Sequence, residues 1–275
     1  KPNIDKIKKT FILGYKSIFH DNETFCKEIK IFPNGYTSIV NLKTNKMKNF
    51  KYWRLPRVTK FDNNFIEAKK IIKKKIIKSV KRKFISDVPC GVSLSGGIDS
   101  SIIAGLVKKK LKYQKVKFFS LIDKGVYDES DLIKKTEKFL KIKVNKITIN
   151  YNNFLDNLRD LIEYYDSPIS TITYFIQSQL IQKVRRQGVK VLLGGTGADE
   201  QFTGYYDHFL QHYQDLKNNN KKKKFEENWK NSVLPFIRNK NLQKINFYDE
   251  KKNQYKNFFQ SNIHNLTYLK FNKKF

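Results

Sequence analysis

Between positions 88 and 193, short apolar runs alternate with longer stretches in which apolar residues recur every three or four positions. Gly91-Val92-Ser93-Leu94, Val116-Lys117-Phe118-Phe119-Ser120-Leu121, positions 144–149 and Val189-Lys190-Val191-Leu192-Leu193 have the length and composition of buried strands. Positions 99–111, 128–140, 152–165 and 173–186 carry the helical period. Strands separated by helices predict a parallel sheet with right-handed crossovers, hence a doubly wound α/β fold. Upstream, Phe65, Ile66, Ile71, Ile72, Ile76, Val80 and Phe84 predict an amphipathic helix with its lysines on the wet face. The first fifty-odd residues read as short strands and turns. Positions 27–32 and 36–42 flank Pro33-Asn34-Gly35, which predicts a hairpin. Beyond Tyr205 the pattern is helical and polar, and the run Asn218-Asn219-Asn220-Lys221-Lys222-Lys223-Lys224 predicts an exposed loop.

Composition changes this picture little. The 275 residues suffice for one large domain, or for one domain with a piece of a second. No run approaches the roughly 20 apolar residues needed to cross a bilayer, and Lys1-Pro2-Asn3-Ile4-Asp5 lacks a signal peptide's apolar stretch. The expectation is a cytoplasmic protein with no membrane partner. Cys26 and Cys90 lie far apart and are expected to be buried, reduced thiols. The balance of 56 Lys+Arg against 25 Asp+Glu, a net charge of +31, is the kind of excess that nucleic-acid binders show. The positive charge is nearly all lysine, however, spread along a chain rich in Asn, Ile, Phe and Tyr. Arginine, which forks onto phosphates and guanine edges, is scarce. The lysines are therefore read as solvated surface and not as a nucleic-acid interface, although their field aids capture of any polyanionic ligand.

In a doubly wound sheet, ligands sit beyond the carboxyl ends of the strands. Two glycine-bearing segments fall at that edge. Ser95-Gly96-Gly97-Ile98-Asp99-Ser100-Ser101 follows a predicted strand and opens a helix. Its glycines let backbone N–H groups approach a ligand, its serines add hydroxyls, and the helix start favours negative charge. Each contribution is worth only about 1 kcal/mol, so several must converge to hold a phosphate. It lacks the lysine that a Walker loop carries after its last glycine. The second segment, Gly194-Gly195-Thr196-Gly197-Ala198-Asp199-Glu200-Gln201-Phe202-Thr203-Gly204-Tyr205, also follows an apolar run. Its acids beside a phosphate site suit Mg²⁺, which takes one or two carboxylates plus phosphate oxygens; equally, they could favour the first turn of a helix.

The Ser-Gly-Gly-Xaa-Asp-Ser turn resembles the pyrophosphate loop of the N-type ATP pyrophosphatases. Over a longer span, Asp87-Val88-Pro89-Cys90-Gly91-Val92-Ser93-Leu94-Ser95-Gly96-Gly97-Ile98-Asp99-Ser100-Ser101 resembles the signature of the asparagine synthetase family. So do Tyr127-Asp128-Glu129-Ser130 and the pattern from Gly195 to Tyr205, while Phe32-Pro33-Asn34-Gly35-Tyr36 and Tyr52-Trp53 resemble the join between that family's glutaminase and synthetase domains. The similarity runs from about Ile12 to Asp207. It implies a fold of the N-type ATP pyrophosphatase type, preceded by a β-rich glutaminase remnant and linker over 1–56, with an incomplete synthetase domain over 57–275. It also implies an ATP site at Leu94, Ser95, Gly96, Gly97, Asp99, Ser100, Leu121, Gly194 and Gly195, with Asp99 and Asp199 as Mg²⁺ ligands. The substrates implied are ATP, aspartate or another carboxylate, and ammonia from glutamine.

The departures from the family pattern bear on the acceptor. Thr196 stands where well-known members carry an acidic or amide residue tied to adenylation, which places strict aspartate chemistry in question. Asp166, one turn after Glu163, falls where relatives keep an acid near the acceptor pocket, and also reads as a helix-end acid. The family's N-terminal nucleophilic cysteine and its basic catalytic loop have no match, so the chain reads as a fragment cut at both ends and inactive alone. His208 and His212, four apart, lack a third ligand for zinc. Two rival readings accompany the leading one: the same ATP chemistry on a different carboxylate, such as a sugar acid, and a non-catalytic basic protein. Homodimerisation is left open.

Overall fold

The computed structural model describes residues 1–14, 18, 21–54, 56, 64–125 and 128–237, so Tyr127 of the family-like motifs lies outside the described residues. The chain divides into two compact units, Lys1–Gly194 and Gly195–Phe275.

The first unit opens with helix α1 (Ile4–Leu13), where short strands were expected. Asn3 caps it, its side chain accepting from the N–H of Lys6 at 3.2 Å. The Lys6 ammonium, almost fully buried, donates to Asp21 at 2.6 Å, and Lys9 meets the other oxygen of that carboxylate at 2.8 Å. Both lysines hold the Asp21 carboxyl far below the usual carboxylate range.

Strand β1 (Tyr36–Asn41) pairs antiparallel with β2 (Lys46–Lys51). The predicted hairpin is therefore displaced: 36–41 pairs forward with 46–51, not back with 27–32. The reversal falls at 42–45, where Asn41 accepts from the N–H groups of Lys43 and Thr44 and Asn45 takes a left-handed φ of 51°. Gly35, also left-handed at φ 75°, presses against the Trp53 carbonyl instead of turning the hairpin.

After helix α2 (Phe65–Lys83) comes the parallel sheet: β3 (Cys90–Ser93), β4 (Lys117–Ile122), β5 (Val144–Thr148) and β6 (Val191–Leu193), in the order β5-β4-β3-β6. Helices α3 (Ile98–Gly105), which runs on as a π-turn over Leu106–Lys110, α4 (Ser130–Leu140), α5 (Phe154–Tyr165) and α6 (Thr173–Arg186) connect the strands. Strand periodicity divides the core. Val92 and Phe118 join Val80, Ala104, Val107, Ile133 and Leu140 on one face, beneath α2, α3 and α4. Phe119 turns to the other face and packs with Leu180, Val184 and Val189 beneath α6. Burial of each Val, Leu, Ile or Phe side chain among them stabilises the fold by roughly 1.5–3 kcal/mol. Helices on both faces make the sheet doubly wound, as expected.

The second unit contains α7 (Ala198–Phe202), α8 (Tyr206–Asp215) and α9 (Asn219–Ser232), followed by a 3₁₀ turn at Leu234–Phe236. The predicted loop at 218–224 is instead the start of α9: Asn218 caps it, and lysine is a good helix former. Phe225 and Trp229, one turn apart, bind this helix to Tyr213 and Phe209 of α8. Among the described residues, no helix is long and apolar enough to cross a membrane.

Candidate functional site

Strand β3 delivers the chain to the carboxyl edge of the sheet at Leu94. That residue has no exposed surface, and its N–H extends the ladder to the Phe119 carbonyl at 2.7 Å. Ser95, Gly96 and Gly97 then turn the backbone so that α3 begins at Ile98, with Gly97 as its cap. Ser100, 4% exposed, holds this turn together. Its hydroxyl accepts from the Ser95 N–H at 3.0 Å, lies 2.9 Å from the Ser95 hydroxyl, and is within donating reach of the Ser95 and Gly97 carbonyls at 3.0 and 3.2 Å. The Ser101 hydroxyl donates to the Gly97 carbonyl at 2.8 Å, and the Gly97 N–H donates to the Ser95 hydroxyl at 3.2 Å. The serines expected only as ligand donors thus also brace the loop that would present the helix's first N–H groups, which have no intrahelical acceptors.

A residue outside the segment completes the brace. Glu129 caps α4 and accepts from the Gly96 N–H at 3.0 Å. A methyl group on Gly96 would lie 2.8 Å from the Glu129 Cβ and 3.0 Å from that of Leu132, so the first turn of α4 is seated on the loop. Glu129 belongs to a family-like motif, yet its contact with a residue 33 positions away has no signature in spacing. Next to it, Asp128 accepts from the Ser130 hydroxyl at 2.5 Å and the Ser130 N–H at 2.8 Å, which lowers its carboxyl below the ordinary range. Asp99 is half-buried in the first turn of α3, where a carboxylate is favoured by the helix dipole. Leu121, near the end of β4, is half-buried against the second core cluster. Strand β6 runs parallel beside β3, with Val92 opposite Leu193, so Gly194 leaves the sheet at the same edge as the Ser95 loop.

Within the second unit, the turn after β6 carries Gly195 and an exposed Thr196, and Gly197 caps α7 at a left-handed φ of 93°. A side chain there would be strained although space is open. Asp199 is half-buried, and a Cβ on Gly204 would overlap its carboxylate, so glycine is needed where the chain closes over the acid. The Tyr205 hydroxyl donates to Glu200 at 2.8 Å and holds that exposed carboxyl below its ordinary range.

The remaining sequence candidates are placed as follows. Asp166 is exposed and ends α5 in a left-handed conformation, a helix-end position. Cys90 is buried but Cys26 only half so; both are free thiols. His212 packs on the ring of Phe225, and His208 accepts from the Tyr205 N–H at 3.4 Å. Among the described residues, no three His, Cys, Asp or Glu side chains gather as a metal site.

Comparison with known proteins agrees with the sequence motifs. Residues 72–273 match the family described as Asparagine synthase. A Methanocaldococcus jannaschii protein that carries the name asparagine synthetase [glutamine-hydrolyzing] 2 is 30% identical over 221 residues, covering 78% of this chain and 41% of its own length. The asparagine synthetase [glutamine-hydrolyzing] 1 of Bacillus subtilis is 32% identical over 179 residues, 65% of this chain and 26% of its own length. A Penicillium rubens protein named amidase chyE is 25% identical over 67% of this chain and 30% of its own length. An NH3-dependent NAD synthetase structure from Campylobacter jejuni aligns with a TM-score of 0.34 and 21% identity, over 50% of this chain and 60% of that one. The chain spans less than half the length of these curated relatives. With the family matched over most of its length, this chain belongs to the asparagine synthase family.

Proposed function

We propose that this chain is the ATP-dependent synthetase part of a glutamine-dependent asparagine synthetase. A carboxylate, aspartate first among the candidates, is adenylated to β-aspartyl-AMP with release of pyrophosphate. Ammonia derived from glutamine then converts the acyl-adenylate to asparagine and AMP. The observation that carries the reading is the self-braced turn from Ser95 to Ser101 at the carboxyl end of β3, with Gly194 leaving the adjacent strand, in a chain of this family.

A carboxylate resists ammonia because its leaving group would be oxide, whereas AMP leaves readily. An oxygen of the acceptor attacks the α-phosphorus, and the bond to the pyrophosphate oxygen breaks. The N–H groups opening α3 bind the phosphates, held in place by the braced turn around Gly96 and Gly97, while Leu94, Leu121, Gly194 and Gly195 line the nucleotide. Asp99 and Asp199 are the residues that would hold Mg²⁺, which neutralises charge on the departing pyrophosphate. The protein's own contribution is positioning and electrostatics on a loop that needs little reorganisation.

The test is exchange of labelled pyrophosphate into ATP by the full-length protein. Aspartate and Mg²⁺ should support it; no exchange with any carboxylic acid would overturn the reading. A second reading, favoured by Thr196, keeps this chemistry but changes the acceptor. Exchange supported by another small acid, such as a sugar acid, and not by aspartate selects it.

A further inference from the structure

Both ends of one peptide unit in the Ser95 loop are held by side chains. The Ser95 carbonyl lies 3.0 Å from the Ser100 hydroxyl, and the N–H of the same peptide, on Gly96, lies 3.0 Å from the Glu129 carboxylate. Ser100 acts from inside the segment, whereas Glu129 reaches it from 33 residues away, at the start of α4. This is not a chance approach of a long side chain. The backbone at Gly96 is so close to the Cβ atoms of Glu129 and Leu132 that no larger residue fits without displacing α4.

A peptide pinned at one end only can rotate about its flanking bonds, and rotation here would disturb the turn from which α3 starts. Such a rotation costs binding indirectly, because the first N–H groups of α3, the donors left for a phosphate, are carried by that turn. A hydrogen bond to a carboxylate is among the stronger restraints available to a backbone N–H.

We propose that Glu129 is a positioning residue for the nucleotide: its carboxylate clamps the Gly96 N–H and fixes the turn in the orientation that the triphosphate meets. The inference rests on the ATP reading above and assigns Glu129 no contact with phosphate or metal. It depends on the acceptor oxygen and not on the negative charge.

The experiment measures Mg·ATP affinity by calorimetry on the full-length protein, as wild type, Glu129→Ala and Glu129→Gln, with a thermal melt for each. Wild-type binding is measured first; its absence overturns the ATP reading, and this inference with it. Given wild-type binding, Glu129→Ala should weaken affinity roughly tenfold, the scale of one hydrogen bond. Glu129→Gln, which keeps an acceptor at that position, should stay within about threefold of wild type by the same reasoning. Affinity in Glu129→Ala equal to or tighter than wild type would overturn the clamp, because the carboxylate would then be competing with phosphate. A Gln variant as weak as Ala would also overturn it, because charge and not the hydrogen bond would be at work. Should the Ala variant fail to fold, the Gln variant decides alone: near-wild-type affinity supports the clamp and a tenfold loss refutes it.

Discussion

The two glycine-bearing loops are stiffened by different means. In the Ser95 to Ser101 turn, hydroxyls hold the backbone, and a carboxylate from another helix, Glu129, joins the bracing. In the turn that opens the second unit, the carboxylates themselves are seated: Asp199 against Gly204, and Glu200 on the Tyr205 hydroxyl. The first loop is fixed through its backbone and the second through its acids, a division of labour that makes the consequences of damage separable.

The largest effects are expected from the acids assigned to the metal. Asp99→Ala and Asp199→Ala should each lower pyrophosphate exchange by about a thousandfold, the scale of losing a principal transition-state contact. Both side chains are half-buried and neither belongs to a core cluster, so both variants should still melt cooperatively. Unfolding of Asp99→Ala would show that the carboxylate supports the fold instead. Next come the glycines. Gly96→Ala pushes on the Glu129 and Leu132 Cβ atoms and should cost about 1–3 kcal/mol of stability as well as nucleotide affinity. Gly204→Ala displaces the Asp199 carboxylate and should raise the Mg²⁺ concentration needed for exchange. If the two variants behave alike, the proposed division of labour is wrong.

Ser100→Ala, which removes a buried hydroxyl serving several backbone groups, should destabilise by about 1–2 kcal/mol, with Ser101→Ala milder, as read from chemical denaturation. The smallest effect belongs to Tyr205→Phe. The Tyr205 hydroxyl lowers the Glu200 carboxyl, so its contribution is present above the ordinary carboxylate pKa and is lost as pH falls through the lowered value. Without that hydroxyl, Glu200 should protonate at higher pH, visible as a higher midpoint in the titration of its carboxyl carbon resonance, with activity at neutral pH unchanged.

Much of the scaffold was legible from periodicity alone. Helix α6 occupies 173–186 as read, and each strand of the sheet lies within two residues of its predicted run; β3 and β4, whose consecutive residues are buried, leave continuous apolar signals. The departures fall in polar segments, where periodicity is weak. The lysine-rich start of α9 resembles a loop until Phe225 and Trp229 are seen to repeat one turn apart. The hairpin was placed at the nearest Asn-Gly, although Asn41 could nucleate a turn through its side chain just as well. At the site, the glycines, serines and acids were visible as motifs. The clamp between Gly96 and Glu129 was not, since a contact between a strand–helix turn and the cap of a distant helix exists only after the sheet has formed.

The most direct test of the central claim is equilibrium binding of Mg·ATP to the full-length protein, with pyrophosphate as competitor. The account predicts saturable, Mg²⁺-dependent binding that pyrophosphate displaces and Asp99→Ala abolishes. Binding that survives Asp99→Ala unchanged, or that pyrophosphate leaves untouched, would contradict it.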